Sequence, residues 1–282
     1  MQIIHDKEEL RRVIKGLKSK GKTIGLVPTM GYLHEGHLSL IRRSRQENDC
    51  TVVSVFVNPA QFSPSEDLEA YPRDTERDIA LLQAEQTDIA FFPSAEALYP
   101  RDYVTWVQVE GLRTQTLCAR SRPTHFRGVA TIVAKLFHMA APTRAYFGQK
   151  DAQQVVVIEK MVEDLDFDLE IVACPIVREA DGLAMSSRNA HLTPEQRTAA
   201  AILSKALFEA RDLVAQGERD TGKVSRHIAE RIASAPEAQI DYISIVDGRT
   251  LEDLEKISGK ALIALAVYFG RTRLIDNVQV EV

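Results

Sequence analysis

The stretch from Leu26 to Ser44, LVPTMGYLHEGHLSLIRRS, places His34 and His37 three residues apart between an apolar run and a segment with helical patterning. His34 lies in the loop after the run and His37 in the first helical turn, so the pair sits at the carboxyl end of a strand beside a helix N-terminus. Unpaired backbone N–H groups and the helix dipole favour negative charge there, and two imidazoles add donors that can follow charge onto phosphate oxygens. A metal centre needs a third ligand, and this pair lacks the glutamate and histidine pattern of a zinc helix. A third reading, two histidines that cap a helix and hydrogen-bond a loop, stays open on the motif alone.

Other residues carry chemistry of a related kind. Lys150 in FGQKD follows the apolar run RAYFG, and Gly148 would let the backbone approach a ligand with no Cβ in the way, although such a stretch also fits a solvated turn. Met185 to Arg188, MSSR, offers two hydroxyls and a guanidinium suited to bidentate phosphate contact, or else a hinge loop between domains. Asn58 and Gln61 in FVNPAQF follow another apolar run, and Gln154 in KDAQQ is a third carboxamide. One carboxamide can both donate to and accept from hydroxyls and carboxylates, while each of these residues alone also suits a turn. Gln153 is a weaker candidate. Asp78, at the start of a helix, suits the helix dipole.

The elements that must position these residues alternate. TIGLVP, TVVSVFVN, IAFFP and RAYFG read as strands, and EGHLSLIRRSRQEN, RDTERDIALLQAEQ, VATIVAKLFHMA and QQVVVIEKMVEDL as the helices between them. This is the pattern of an α/β fold with a Rossmann-like parallel sheet, whose strands are nearly all apolar because helices cover both faces. Ligands of such sheets bind at the carboxyl ends of the strands. LEIVACPIV reads as one more strand. Beyond it the texture changes to one long helix from Thr193 and Pro194, a helix around KVSRHIAERIA and the strands QIDYISIVD, KALIALAVYFG and RLIDNVQVEV, a smaller α+β unit. The expected domains are residues 1–178, bearing most of the site, and residues 179–282, acting as a partial lid.

The bulk properties exclude some classes. A formal net charge of -5 supplies no basic excess for a nucleic-acid backbone, so no nucleic-acid partner is expected. Cys50, Cys118 and Cys174 are too few and too scattered for a disulfide framework or a thiolate metal site, which fits a reducing, cytoplasmic setting. The charged N-terminus lacks the apolar centre of a signal peptide, and no run approaches the ~20 apolar residues of a bilayer span, so no membrane association is expected.

HEGH preceded by PTMGYL is similar to the HxGH motif of the nucleotidyltransferase superfamily, and MSSR resembles the lysine-methionine-serine-lysine-serine loop of class I aminoacyl-tRNA synthetases. With VSVFVNPAQF, YPRD, RPTHFRGVATIV, YFGQKDAQQ, MSSRN and RLIDN in order over most of the chain, the sequence resembles the pantoate-beta-alanine ligase family. The resemblance implies that pantoate is joined to the α-phosphate of ATP with loss of pyrophosphate, and that beta-alanine then displaces AMP. It assigns Met30, Gly31, Tyr32, Leu33, His34, Glu35, Gly36, His37, Gly148, Gln149, Lys150, Asp151, Val177, Met185, Ser186, Ser187 and Arg188 to ATP, with His34, His37, Lys150 and Arg188 catalytic. Gln61, Gln154, Asn58, Arg122 and His125 fall to the organic substrate, and Asp78 to Mg²⁺. A homodimer is also implied. Thr124 departs from the family, which commonly has glycine there; were that glycine at positive φ, threonine would be strained and the loop carrying Arg122 and His125 displaced.

Such a reaction explains the residue types. A carboxylate with a pKa near ~4 is ionised at neutral pH, so adenylation needs no base but does need placement and charge neutralisation. The amine of beta-alanine, with a pKa of ~10, must lose a proton, and no residue announces itself as the acceptor. Two rivals share the motif: an HxGH nucleotidyltransferase acting on a phosphorylated acceptor, and a nucleotide sensor without turnover.

Overall fold

The computed structural model describes residues 1–62, 68–69 and 71–282. In chain order the strands are β1 Gln2–Ile4, β2 Ile24–Thr29, β3 Cys50–Val55, β4 Ile89–Phe91, β5 Arg144–Gly148, β6 Glu170–Cys174, β7 Ala238–Asp247, β8 Lys260–Phe269 and β9 Thr272–Glu281. The α-helices are α1 Lys7–Lys18, α2 Glu35–Glu47, α3 Thr75–Ala84, α4 Ala95–Leu98, α5 Cys118–Ser121, α6 His125–Ala140, α7 Ala152–Asp164, α8 Pro194–Ala200, α9 Ile202–Ala215 and α10 Thr221–Ala233. They form two compact units, one of residues 1–109, 122–149 and 157–175, the other of residues 110–121, 150–156 and 176–282.

The first unit is built on a six-stranded, wholly parallel sheet in the order β1-β4-β3-β2-β5-β6. β2 is central, paired with β3 on one side and β5 on the other, so the chain leaves β2 toward one edge and later returns to its opposite flank. That reversal makes the carboxyl ends of β2, β3 and β5 neighbours at a topological switch point. The segments that follow those three strands begin with Met30, Phe56 and Gln149. Ile24, Leu26, Val27, Val52 and Val53 are fully buried, as the unbroken apolar runs require of strands covered on both faces.

β1 and α1 lie in the stretch that showed only charge in the sequence. The three residues of β1 are too few to display a period, and pairing with β4 makes them a strand. α6 is buried over most of its surface, and Gly128 on it lets the 3-10 turn Pro59–Gln61 approach: a Cβ there would meet the Ala60 carbonyl oxygen at 2.2 Å.

The second unit is a three-stranded antiparallel sheet, β7-β8-β9, with α8, α9 and α10. Its core joins Leu203, Leu207, Ile228 and Ile232 from the helices to Ile263, Leu265 and Val267 of β8. The single long helix expected from Thr193 is two, α8 and α9, parted at Ala201. Thr193 caps α8 as its position suggests, in a capping box with Gln196. Within that first segment the Thr198 hydroxyl donates to the Pro194 carbonyl at 2.9 Å, a back-bond that bends a helix. The three cysteines are free and buried, and burial pushes the Cys50 thiol up to about 12. Among the described residues no helix is long and apolar enough to cross a membrane.

Gly128→Ala should force α6 away from the 3-10 turn. Overpacking of this kind costs about 1–3 kcal/mol, read as a lower urea midpoint, and turnover should fall with it because the turn carries Gln61.

Candidate active site

The loop after β2 is closed by a side chain from α3. Gly31 and Tyr32 lie in succession at positive φ, 82° and 50°. A non-glycine residue held there costs about 1–3 kcal/mol and persists only where its surroundings impose it. Asp78 imposes it: its two carboxylate oxygens accept from the backbone N–H of Tyr32 at 2.8 Å and of Leu33 at 2.7 Å. A Cβ on Gly31 would lie 2.9 Å from that carboxylate. Asp78 is 2% exposed, and burial raises its pKa above the ordinary carboxylate value, against the pull of the two N–H donors. Both Asp78 oxygens thus accept from the loop, which gives the carboxylate an anchoring role there.

His34 and His37 form a reciprocal cap on α2. The Gly36 N–H donates to His34 Nδ1 at 3.2 Å, and the His34 N–H donates to His37 Nδ1 at 3.3 Å. The rings lie 4.0 Å apart between centroids. A neutral imidazole that accepts at Nδ1 carries its proton on Nε2, so the cap selects the tautomer in which both rings are Nε2–H donors. The helix-capping and anion-binding readings of the pair are therefore compatible. The Gly36 N–H is taken by His34 and the His37 N–H by the His34 carbonyl at 2.8 Å, so the rings join the backbone as donors at this helix start. Glu35 of the same motif is held by the guanidinium of Arg42, so its carboxylate belongs to a surface ion pair.

The 3-10 turn after β3 holds a nest of carboxamides. Asn58, 1% exposed, donates to Gln61 Oε1 and to the Gly128 carbonyl, each at 3.1 Å, and accepts from the Tyr99 hydroxyl at 2.9 Å and the Ala60 N–H at 3.3 Å. With its carboxamide so committed, Asn58 orients Gln61. The Gln61 amide in turn lies 3.0 Å from the Met30 sulfur. The Gln61 carbonyl lies 2.8 Å from His125 Nδ1 and accepts from Arg122 at 3.4 Å, which brings Arg122 and His125 to the same turn. Thr124 has φ -96° and ψ -8°, a conformation open to any residue, so its presence in place of glycine carries no backbone strain. Tyr99 went unnoticed in the sequence; nothing local marks a tyrosine that meets Asn58 across 41 positions.

Beyond β5, a Cβ on Gly148 would meet nothing within 4 Å, so internal packing does not demand the glycine and the space beside it is open. Gln149 starts the 3-10 turn Gln149–Asp151. In the second unit, Lys150 is half-buried, and among the described residues its ammonium forms no ion pair or hydrogen bond. Gln153 and Gln154 divide their duties. Gln153 is buried, donates to the carbonyls of Arg113 and Thr116 at 2.9 and 2.8 Å, and accepts from the Cys118 N–H at 2.9 Å. Gln154 is half-buried, and its carboxamide has no hydrogen bond among the described residues.

The MSSR stretch stands at the foot of a short hairpin. Arg178 bridges Ala184 across it, the Met185 N–H donates to the Val177 carbonyl at 3.0 Å, and Gly182 turns the chain at φ 95°. Ser186 then caps the 3-10 turn Ser187–His191, accepting from the Arg188 N–H at 3.3 Å. Arg178 makes a two-bonded pair with Asp276 at 2.6 and 2.9 Å, and Asp276 is 2% exposed. An aspartate and an asparagine inside the apolar strand RLIDNVQVEV signal buried polar partners, a clue that local patterning alone does not use.

A parallel sheet whose central strand leads into two Nε2–H imidazoles at a helix N-terminus defines a nucleotide-binding protein of the HxGH class. A sequence model of the family described as Pantoate-beta-alanine ligase matches residues 2–279. The chain is 57% identical to the pantothenate synthetase of Acetivibrio thermocellus over 282 residues, all of both chains. It is 54% identical to that of Moorella thermoacetica, over 100% of this chain and 99% of the relative. Among solved structures, the pantothenate synthetase of Thermus thermophilus superposes with a TM-score of 0.94 at 46% identity, covering 99% of each chain. The pantoate-beta-alanine ligase of Francisella tularensis, solved with beta-gamma ATP and beta-alanine, gives 0.82 at 33% identity, covering 99% of this chain and 97% of that one. The chain belongs to the pantoate-beta-alanine ligase family, an enzyme family that forms a carbon-nitrogen bond.

Asp78→Asn keeps the volume but turns one acceptor into a donor that faces a backbone N–H. The variant should lose about 1–3 kcal/mol of stability in urea titration, and kcat/KM should fall at least about tenfold as the loop before His34 loosens.

Proposed function

We propose that this ligase works through an acyl adenylate. A carboxylate oxygen of pantoate attacks the α-phosphorus of ATP, the bond to the β-phosphate bridging oxygen breaks, and pyrophosphate leaves. The amine of beta-alanine then attacks the acyl carbon, AMP leaves with the acyl carbon–oxygen bonding pair, and the amine proton passes to solvent or a phosphate oxygen.

The observation that carries this reading is the paired cap of His34 and His37, which sets both rings as Nε2–H donors at the end of the central strand. In the proposal these protons meet phosphate oxygens as negative charge grows on them, the use for which a preorganised donor is most effective. Lys150, not engaged by any described carboxylate, supplies charge to the leaving phosphates, and Ser186, Ser187 and Arg188 bind phosphate oxygens. Gln61, oriented by Asn58, and Gln154 take the hydroxyls and carboxylate of pantoate, with Arg122 and His125 holding the Gln61 turn.

Mg²⁺ belongs to this proposal as part of the nucleotide. Among the described residues no group of three or more acidic, histidine or cysteine side chains could hold a metal, and Asp78 is engaged by the loop. An ion that keeps most of its waters and travels on phosphate oxygens needs no such cage. A homodimer in the cytoplasm completes the reading, and light scattering should return about twice the 31.5 kDa of one chain; a monomer at working concentration would remove the dimer from it.

The deciding assay measures AMP. Its release should require both pantoate and beta-alanine, while pantoate alone should support exchange of pyrophosphate into ATP. His37→Ala should slow that exchange by about 10²–10³-fold, the usual loss for one such donor, and Lys150→Ala by a comparable factor, with little change in melting temperature. A stable nucleotidyl product formed without amine, or full exchange in His37→Ala, would refute the mechanism.

A further inference from the structure

Two consecutive residues of β9 tie together two loops of the second unit that are far apart in sequence. Asn277, 3% exposed, donates from Nδ2 to the Lys150 carbonyl at 3.0 Å, across 127 positions. Asp276 holds Arg178 by both guanidinium NH2 groups, and its Oδ1 also accepts from the Asn277 N–H at 2.8 Å. Arg178 in turn accompanies the hairpin into MSSR, donating to the Gly182 carbonyl at 3.1 Å and reaching the Asn277 carbonyl at 3.4 Å. One rigid strand therefore fixes both the Lys150 turn and the base of the Met185–Arg188 loop.

We infer that Asn277 is a positioning residue for adenylation: its bond to the Lys150 carbonyl, on the strand that anchors the MSSR hairpin through Asp276 and Arg178, sets the lysine in register with Ser186–Arg188. The inference rests on the phosphate role proposed for Lys150. The physical ground is the stiffness each partner lacks alone. A turn of three residues whose lysine has no ion pair among the described residues has nothing of its own to fix the ammonium. A hydrogen bond from a nearly fully buried amide to its backbone removes that freedom at the root of the side chain. Neither Asn277 nor Asp276 need touch the nucleotide, and neither supplies charge to it. Displacing a charge by about 1 Å from its working position costs as much as a hundredfold in rate, so the bond should show in turnover more than in binding.

The test is a cycle of Asn277→Ala, Lys150→Ala and the double variant, followed by pantoate-dependent pyrophosphate exchange, with KM for ATP and pantoate and thermal melting measured for each. Asn277→Ala should slow exchange by about ten- to a hundredfold with KM for pantoate unchanged. In the Lys150→Ala background the same change should cost less than about twofold, because the group it positions is gone. Asn277→Leu, which keeps the volume without the donor, should repeat the result if the alanine leaves a cavity. Exchange undiminished in a folded Asn277 variant, a loss that multiplies in full on that of Lys150→Ala, or failure of both single Asn277 variants to fold would each overturn the inference. Should Lys150→Ala itself exchange at the normal rate, the phosphate role of the lysine falls first and the inference with it.

Discussion

The loop and first helical turn after β2 contain a run of backbone N–H groups that a parallel sheet cannot pair, and their satisfaction governs the site. Thr29 takes the Gly31 N–H, Asp78 those of Tyr32 and Leu33, His37 that of His34, and His34 that of Gly36. Each acceptor is thereby fixed in place. For the histidines the consequence is chemical as well as geometric, because an Nδ1 that accepts leaves the proton on Nε2. The fold turns a capping problem common to all helices into two oriented donors.

The same pattern recurs one layer further out. Asn58 commits its amide to Gln61 and the Gly128 carbonyl, Gln153 commits its own to Arg113 and Thr116, and Asp276 is paired with Arg178. These groups are nearly fully buried, where an unmade hydrogen bond costs more than a made one contributes. Burial thus selects single arrangements and hands that rigidity to the neighbouring Gln61 turn, Gln154 and the MSSR loop.

Which of this was legible in the sequence follows from the range of the interactions. The parallel sheet could be read because apolar runs of five or six residues set between helical periods fit little else. The residues following β2, β3 and β5 could be read as a site because carboxyl ends of parallel strands are where ligands bind. Hidden from the sequence were the partners: Tyr99 on Asn58, Asp78 on the Tyr32 loop, Asn277 on Lys150, each separated by tens of positions. β1 was hidden for a different reason, being a strand by pairing with β4 and not by its own pattern. For Asp78 local patterning showed an acidic residue at a helix start, and only tertiary contact shows that its carboxylate accepts from the Tyr32 loop.

The disposition of carboxylates bears on the chemistry more than that of the cations. A reaction that brings an organic acid onto a triphosphate suffers from every further negative charge nearby. In the first unit Asp78 is engaged by two N–H donors and Glu35 is neutralised by Arg42, which Glu85 also pairs. In the second, Glu179 and Asp181 are held by Arg197, and Asp276 by Arg178. Each of these acids is committed to structure, whereas the ammonium of Lys150 forms no ion pair among the described residues. The commitment of these acids suits the proposed adenylation, which needs no base. In the proposed mechanism the second step draws its driving force from the reactivity of the adenylate, and the protein's contribution is to keep that intermediate oriented until the amine arrives.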